Sequence, residues 1–109
     1  MNNIKILVVE PAKQPYVKEI KNNIGVIYGI VYFPFEMSEI NQNVILISSL
    51  GAKDIQDKTF VANRIYKDKF IYSNFIVLGK QGDNFVSLTN EQIKKYTEMF
   101  TLRGVYENE

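Results

Sequence analysis

The first polar residues that could bind a ligand gather around Glu10, directly after an apolar run near the start of the chain. Lys13 and Tyr16 follow at short spacing, and binding sites often form where a central strand ends. A carboxylate, an ammonium group and a phenol at this point could receive a ligand together. The alternative is a solvated loop, in which Glu10 and Lys13 form a surface ion pair that contributes about 0–1 kcal/mol.

A second candidate is the polar pair Asn63-Arg64, which interrupts an otherwise apolar and aromatic stretch. An arginine at this position could grip a carboxylate or a phosphate through two parallel hydrogen bonds. It could equally brace the fold by bonding the carbonyl groups at strand ends. The sequence leaves both interpretations open.

The third candidate is the loop that contains Asp83 and Asn84. The segment 79–83 carries two glycines and a lysine, but a phosphate-binding loop places four residues between its glycines and follows them with Lys-Ser or Lys-Thr. The sequence therefore predicts a hairpin-type loop over Gly82–Asn84. In one hypothesis this loop joins the residues named above to bind a nucleotide-like small molecule.

Nucleic-acid binding is not favoured. Basic and aromatic residues alternate from Arg64 to Tyr72 and could stack on a single strand. However, a strand alternates in the same way between its core face and its solvated face. The net charge of +1 also supplies no basic excess for phosphate binding.

Catalysis has little support from residue types, because the chain contains no histidine and no cysteine. This excludes a Ser-His-Asp triad, a thiol nucleophile and the usual zinc sites. Glu36 with Glu39, and Asp54 with Asp57, lie three residues apart, yet both pairs fall in segments that read as loops. A carboxylate-dependent or metal-dependent hydrolase is therefore the least favoured hypothesis, and we predict no catalytic residue, metal or cofactor.

The elements that must position these residues belong to a chain of 109 residues with 46% hydrophobic and 23% charged side chains. This length and composition predict one folded domain over residues 1–109. No apolar stretch approaches the roughly 20 residues that a membrane span needs, and no export signal is visible at the start. We expect a protein of the bacterial cytoplasm.

Hydrophobic periodicity gives the element order. Strands are predicted over Ile4–Val9, Val26–Phe33, Asn43–Ile47 and Phe70–Leu78, with an irregular stretch or short strand over Lys58–Tyr66 and helices over about 15–24 and 90–102. Thr89 and Gln92 form a capping box ahead of the last helix. The predicted fold is α+β, a mostly antiparallel sheet of about four or five strands with both helices on one face.

Two stretches resemble a known family. They are Ile6–Pro11, followed by Lys13, Pro15-Tyr16 and Lys18–Ile20, and the later Asp83–Ile93, with Tyr32–Phe35, Asn63-Arg64 and Phe75–Gly79 between them. Together these stretches resemble a family of short proteins from Gram-positive bacteria, their phages and mobile elements, a domain of unknown function. The resemblance spans nearly the whole chain.

The resemblance implies no reaction. It implies a phage or mobile-element setting, in which small inert proteins often disable host defence by binding; this step is an association rather than a physical argument. The function expected is that of a non-enzymatic accessory protein that binds a macromolecular partner, a protein such as a CRISPR nuclease being the favoured type. The candidate binding residues are Glu10, Lys13, Tyr16, Asn63, Arg64, Asp83 and Asn84.

Overall fold

A computed structural model describes residues 3–31, 34–50 and 62–102, and of Ala62 only the backbone. These ranges form the following elements in chain order: β1 (Asn3–Val9), β2 (Tyr16–Lys21), α1 (Ile24–Tyr28), β3 (Phe35–Asn41), β4 (Val44–Ser49), β5 (Ala62–Tyr66), β6 (Lys69–Tyr72), β7 (Phe75–Gln81), β8 (Asn84–Val86) and α2 (Asn90–Met99). Every strand pairing among them is antiparallel. The predicted α+β class with a mostly antiparallel sheet is confirmed.

The main sheet has six strands, more than the four or five expected. Its order is β2-β1-β7-β4-β3, and β8 pairs with the last residues of β7. β5 and β6 form a separate two-stranded hairpin. The prediction did not contain β2, whose segment was assigned to a helix, or β3, whose segment was assigned to a loop. It also lacked β8, whose three residues are too few to give a periodic signal.

Alternation along β1, β4 and β7 divides the apolar core into two clusters, one on each face of the main sheet. Ile6 and Val8 pack with Ile27 of α1 in one cluster, on what we call the α1 face. Leu7 and Val9 pack with Tyr96 of α2 in the other, on the α2 face. The expectation that both helices lie on one face was therefore wrong. Strands that are apolar on both sides need a cover on each side.

The helix predicted over residues 15–24 was also wrong, because Tyr16–Lys21 forms strand β2 beside β1. Val17, Ile20 and Ile24 have helical spacing, but the segment is also rich in β-branched and aromatic side chains. Pairing with the buried strand β1 decides in favour of a strand over a helix, since β propensity depends strongly on neighbouring strands.

The strand predicted over Val26–Phe33 is replaced in its described part by helix α1 and a turn. Asn23 caps this helix, since its side-chain oxygen accepts hydrogen bonds from the N–H groups of Gly25 (2.7 Å) and Val26 (3.3 Å). A cap of this kind starts a helix that apolar content alone does not reveal. Gly25 directly follows the predicted helix over 15–24, but in the structure it lies in the first turn of α1.

The predicted strand over Phe70–Leu78 is in fact two strands, β6 and β7, because Ser73 has a positive φ of 63° between them. β7 continues through Gly79 to Gln81, beyond the predicted end at Leu78. The predicted strand over Asn43–Ile47 is confirmed as β4, and the Lys58–Tyr66 segment contains β5, with residues 58–61 outside the described ranges.

The last helix is confirmed with its capping box, in which the Thr89 side chain accepts from the N–H of Gln92. It ends at Met99 rather than near residue 102. Phe100 leaves the helix and is buried against the α2 face.

Candidate binding site

A tight turn at the end of β1 brings three of the predicted residues together. The N–H of Lys13 donates to the carbonyl of Glu10 (3.3 Å), and Ala12 has a φ of 61°. Pro11 followed by a residue with positive φ is the pattern of a type II turn, in which glycine or asparagine is usual at the third position. The turn leads into β2, where Tyr16 pairs with Val8. Both Lys13 and Tyr16 therefore lie beside Glu10.

Glu10 is the centre of a small surface network. The Tyr16 hydroxyl donates to Oε2 of Glu10 (2.6 Å), and the Lys13 ammonium group lies 3.3 Å from Oε1. The Tyr16 hydrogen bond lowers the pKa of Glu10, with a smaller contribution from Lys13, against the opposing effect of burial. The same hydrogen bond raises the pKa of Tyr16 to about 12. At neutral pH the network thus pairs an ionised carboxylate with a neutral phenol.

Arg64 is buried behind this network, and its guanidinium bonds backbone oxygens. Its Nε donates to the carbonyl of Phe100 (2.8 Å) and its Nη2 to the carbonyl of Lys13 (2.7 Å). Its Nη1 donates to the side-chain oxygen (2.6 Å) and the carbonyl of Asn63. The side chain thereby ties the β1–β2 turn and the end of α2 to the β5–β6 hairpin. Of the two interpretations that the sequence left open for Arg64, the structure thus shows the one in which the side chain braces the fold by bonding carbonyl groups.

Asn63, next to Arg64, attaches the β5–β6 hairpin to the end of β1. Ala62 pairs with Tyr72 and Arg64 with Ile71, so that Asn63 is an extra residue, a β-bulge, in β5. Its side-chain amide donates to the carbonyls of Val9 (2.9 Å) and Ser73 (2.8 Å). These amide bonds hold the bulge against the end of β1.

Asp83 and Asn84 lie away from this cluster. Gly82 and Asp83 form the turn between β7 and β8, with Gly82 at a φ of 62°, and Asn84 begins β8. β7 starts beside Val9 and runs for seven residues before this turn, a distance of about 20 Å. The structure therefore brings five of the seven predicted residues together and places the other two at the opposite end of the sheet.

Of the two carboxylate pairs singled out in the sequence, the pair that the structure describes does not converge. Glu36 and Glu39 lie on opposite faces of β3, since Glu36 pairs with Ser48 and Glu39 with Ile45. Asp54 and Asp57 fall outside the described residues. Within residues 3–31, 34–50 and 62–102, no three acidic side chains come together in a way that could hold a metal ion.

Sequence reasoning missed the most exposed apolar residues of the β5–β6 hairpin. Ile65 and Phe70 pair directly across the two strands and are 63% and 55% exposed. Beside them a cleft of about 100 Å³ separates the hairpin from β3 and β4, with Tyr66, Phe70 and Tyr72 on the hairpin side. The alternating pattern of the segment was the available signal, but it does not tell which set of side chains faces the core.

The fold and the site together define a small α+β protein built on an antiparallel sheet, with an arginine-braced hairpin packed on the α2 face. A family model described as "Domain of unknown function (DUF3846)" matches residues 4–101, so the chain belongs to that family. No curated protein and no solved structure gives a significant match. Among the described residues, no helix has the length and apolar character to cross a membrane.

Proposed function

We propose that the chain is a non-enzymatic protein that acts by binding another protein through the outer face of the β5–β6 hairpin. The observation that carries this proposal is the directly opposed pair Ile65 and Phe70, both more than half exposed. Single exposed apolar residues are normal, but adjacent large ones mark interaction surfaces. Buried aromatic and aliphatic anchors of this kind usually supply most of the energy of a protein interface.

The bracing of the hairpin supports the same proposal. Arg64 and Asn63, which precede Ile65, are tied to the ends of other elements by hydrogen bonds of 2.7–2.9 Å. A surface that is ordered before binding loses less conformational entropy when the partner arrives. The hairpin is thus suited to present its apolar pair in one fixed geometry.

We further propose that the partner is a component of host defence, such as a CRISPR nuclease, in a phage or mobile-element setting. The resemblance described above is the only support for this finer step. The small-molecule alternative has weaker support, because Asp83 and Asn84 lie about 20 Å from the end of β1.

The experiment is affinity capture from bacterial lysate with the tagged full chain and two double variants. Ile65→Ser with Phe70→Ser removes the proposed contact, and Val17→Ser with Met99→Ser removes similarly exposed apolar residues elsewhere. We expect the same protein to be retained by the wild type and by the second variant, and lost with the first. Retention of no protein, or equal loss with both variants, would contradict the proposal.

A further inference from the structure

β3 is an edge strand of the main sheet, and alternate backbone groups along it face away from the sheet. No strand pairs with its outer side among the residues that the structure describes. The N–H of Leu50 donates to the carbonyl of Pro34 (2.7 Å), which continues the ladder between β3 and β4. Hydrogen-bonded and non-hydrogen-bonded pairs alternate along an antiparallel ladder, so Met37 and Glu39 point their backbone N–H and C=O outward. These groups can pair with a further strand.

The middle of this edge is apolar. Among the described strands of the main sheet, Met37 has the most exposed large apolar side chain, at 51%. It lies on the α1 face, two residues after Phe35 on the same side of the strand. The ring of Phe35 in turn contacts that of half-exposed Tyr28, with 5.2 Å between the centroids. Met37 therefore extends an apolar strip to the very edge of the sheet, where a partner can cover it.

The charges along β3 are balanced within the chain itself. Glu36 lines the cleft beside the hairpin together with Lys69. Glu39 lines a hollow of about 340 Å³ on the α1 face together with Lys80. Each carboxylate thus has an ammonium group nearby, and the edge requires neither a basic nor an acidic occupant. A neutral strand with an apolar centre is what this edge can accept.

β3 is complementary to itself about one particular two-fold axis. In an antiparallel pair of two β3 strands, a register centred on Glu36 or on Glu39 brings two carboxylates directly opposite each other, which is destabilising. A register centred on Ser38 separates the two methionines and leaves each of them opposite a Glu39 carboxylate. The register centred on Met37 places Met37 against its own copy, Glu36 against Ser38 and Phe35 against Glu39. Only this register joins the exposed apolar side chains and opposes no like charges.

We propose that a second copy of this chain pairs with β3 in antiparallel orientation about a two-fold axis through Met37, which joins the two main sheets into one. A second copy is the occupant because each strand supplies what the other needs. It presents outward backbone groups at the matching position, an exposed methionine at the centre and no charge that its partner must neutralise. Interfaces in which both subunits use the same patch are the commonest type in homo-oligomers. The inference goes beyond the proposed function and does not depend on it.

The other edge of the main sheet keeps the assembly closed. β2 carries Lys18 and Lys21, and lysines on an edge strand discourage further pairing. A two-fold interface uses β3 of both copies, so that only the β2 edges remain, one at each end of the joined sheet. We therefore expect a dimer and no open fibre.

The first test is sedimentation equilibrium of the full chain between about 1 μM and about 1 mM. We expect the mass to rise with concentration from that of the 12.6 kDa monomer to that of a dimer and no further. Met37→Lys places like charges directly across the axis and should weaken dimerisation by about tenfold or more. Val17→Lys, at a similarly exposed position on β2, should leave it unchanged. A monomer at every concentration, or equal weakening by both variants, would overturn the inference.

The second test uses the lack of any native cysteine. In the proposed register the two Met37 Cα atoms form a hydrogen-bonded pair about 5.5 Å apart, a distance that a disulfide spans. Met37→Cys should therefore cross-link two chains under mild oxidation. Ser38→Cys faces Glu36 of the copy and Val17→Cys lies on β2, so both should cross-link at least about tenfold more slowly. Equal rates for Met37→Cys and either control would overturn the inference. If Met37→Lys fails to fold, as judged by circular dichroism, this comparison decides alone.

The two proposals fail separately. A chain that stays monomeric but still captures a protein through Ile65 and Phe70 refutes the two-fold pairing and leaves the hairpin contact in place. A dimer that captures no protein refutes the proposed function and leaves the pairing of β3 in place.

Discussion

Replacing Arg64 with alanine should destabilise the protein by about 3 kcal/mol. Its guanidinium makes three hydrogen bonds of 2.6–2.8 Å, to the carbonyls of Phe100 and Lys13 and to the side chain of Asn63. Hydrogen bonds from a charged donor contribute about 1.5–3 kcal/mol each, so three give at least about 4.5 kcal/mol. The bonds to Lys13 and Asn63 are only partly buried. Water can replace part of them, which reduces the expected loss to about 3 kcal/mol.

Urea denaturation at 25 °C measures this loss as a lower midpoint with an unchanged slope. Arg64→Lys should lose nearly as much, because an ammonium group cannot reproduce the fork that reaches separate carbonyls. Lys69→Ala on the same hairpin is the control, and as an exposed residue it should change stability by less than about 0.5 kcal/mol. A loss below about 1 kcal/mol for Arg64→Ala would refute the bracing role and return Arg64 to the list of residues available for a ligand.

Three further predictions concern other parts of the molecule. Gly79→Ala should cost about 1–3 kcal/mol of unfolding free energy in the same assay, because a Cβ there would lie 2.9 Å from the Val86 side chain and also from its carbonyl oxygen; Val86→Ala should therefore not rescue it. Thr89→Ala should lower stability by about 1 kcal/mol through loss of the helix cap, and Thr89→Ser should retain it. Tyr16→Phe removes the bond that lowers the pKa of Glu10 and raises that of Tyr16 to about 12. The stabilisation of the fold through Glu10 is present above the ordinary pKa of 4.5 and is lost as the pH falls through the lowered pKa of this carboxyl. The stabilisation through Tyr16 is present below the ordinary pKa of 10.0 and is lost as the pH rises towards the raised pKa of about 12. The stability advantage of the wild type over Tyr16→Phe, measured by denaturation against pH, should thus be largest between these limits; a constant difference across the range would contradict the assignment.

Features set by neighbouring residues could be predicted from the sequence. The capping box at Thr89 requires only residues within one helical turn, and it is present as expected. The apolar runs of β1 and β4 also identified buried strands. Lys13 and Tyr16 were grouped with Glu10 because of their short spacing in the chain, and the turn at Pro11 brings the three side chains together.

Features that depend on distant partners could not be predicted in this way. The segment 16–21 fits a helix and a strand equally well, and only its pairing with β1 decides. Arg64 could have bonded a ligand or carbonyl groups, and the answer depends on the carbonyls of Phe100 and Lys13, which lie far from it in the chain. Sequence patterns do not report which backbone oxygens come within reach of a side chain.

The exposed surface of the β5–β6 hairpin is determined by the two-residue turn at its tip. Lys67 and Asp68 have positive φ values of 51° and 64°, and a tight turn of this kind fixes the register of the two strands. Ile65 therefore pairs with Phe70 on one face of the hairpin, while Arg64 and Ile71 pair on the other. The extra residue Asn63 lies beyond these pairs, and its amide bonds to Val9 and Ser73 join the hairpin to the end of β1. The turn thus determines which residues form the proposed contact surface, whereas the bulge determines how the hairpin is attached, and the alternating sequence pattern reports neither.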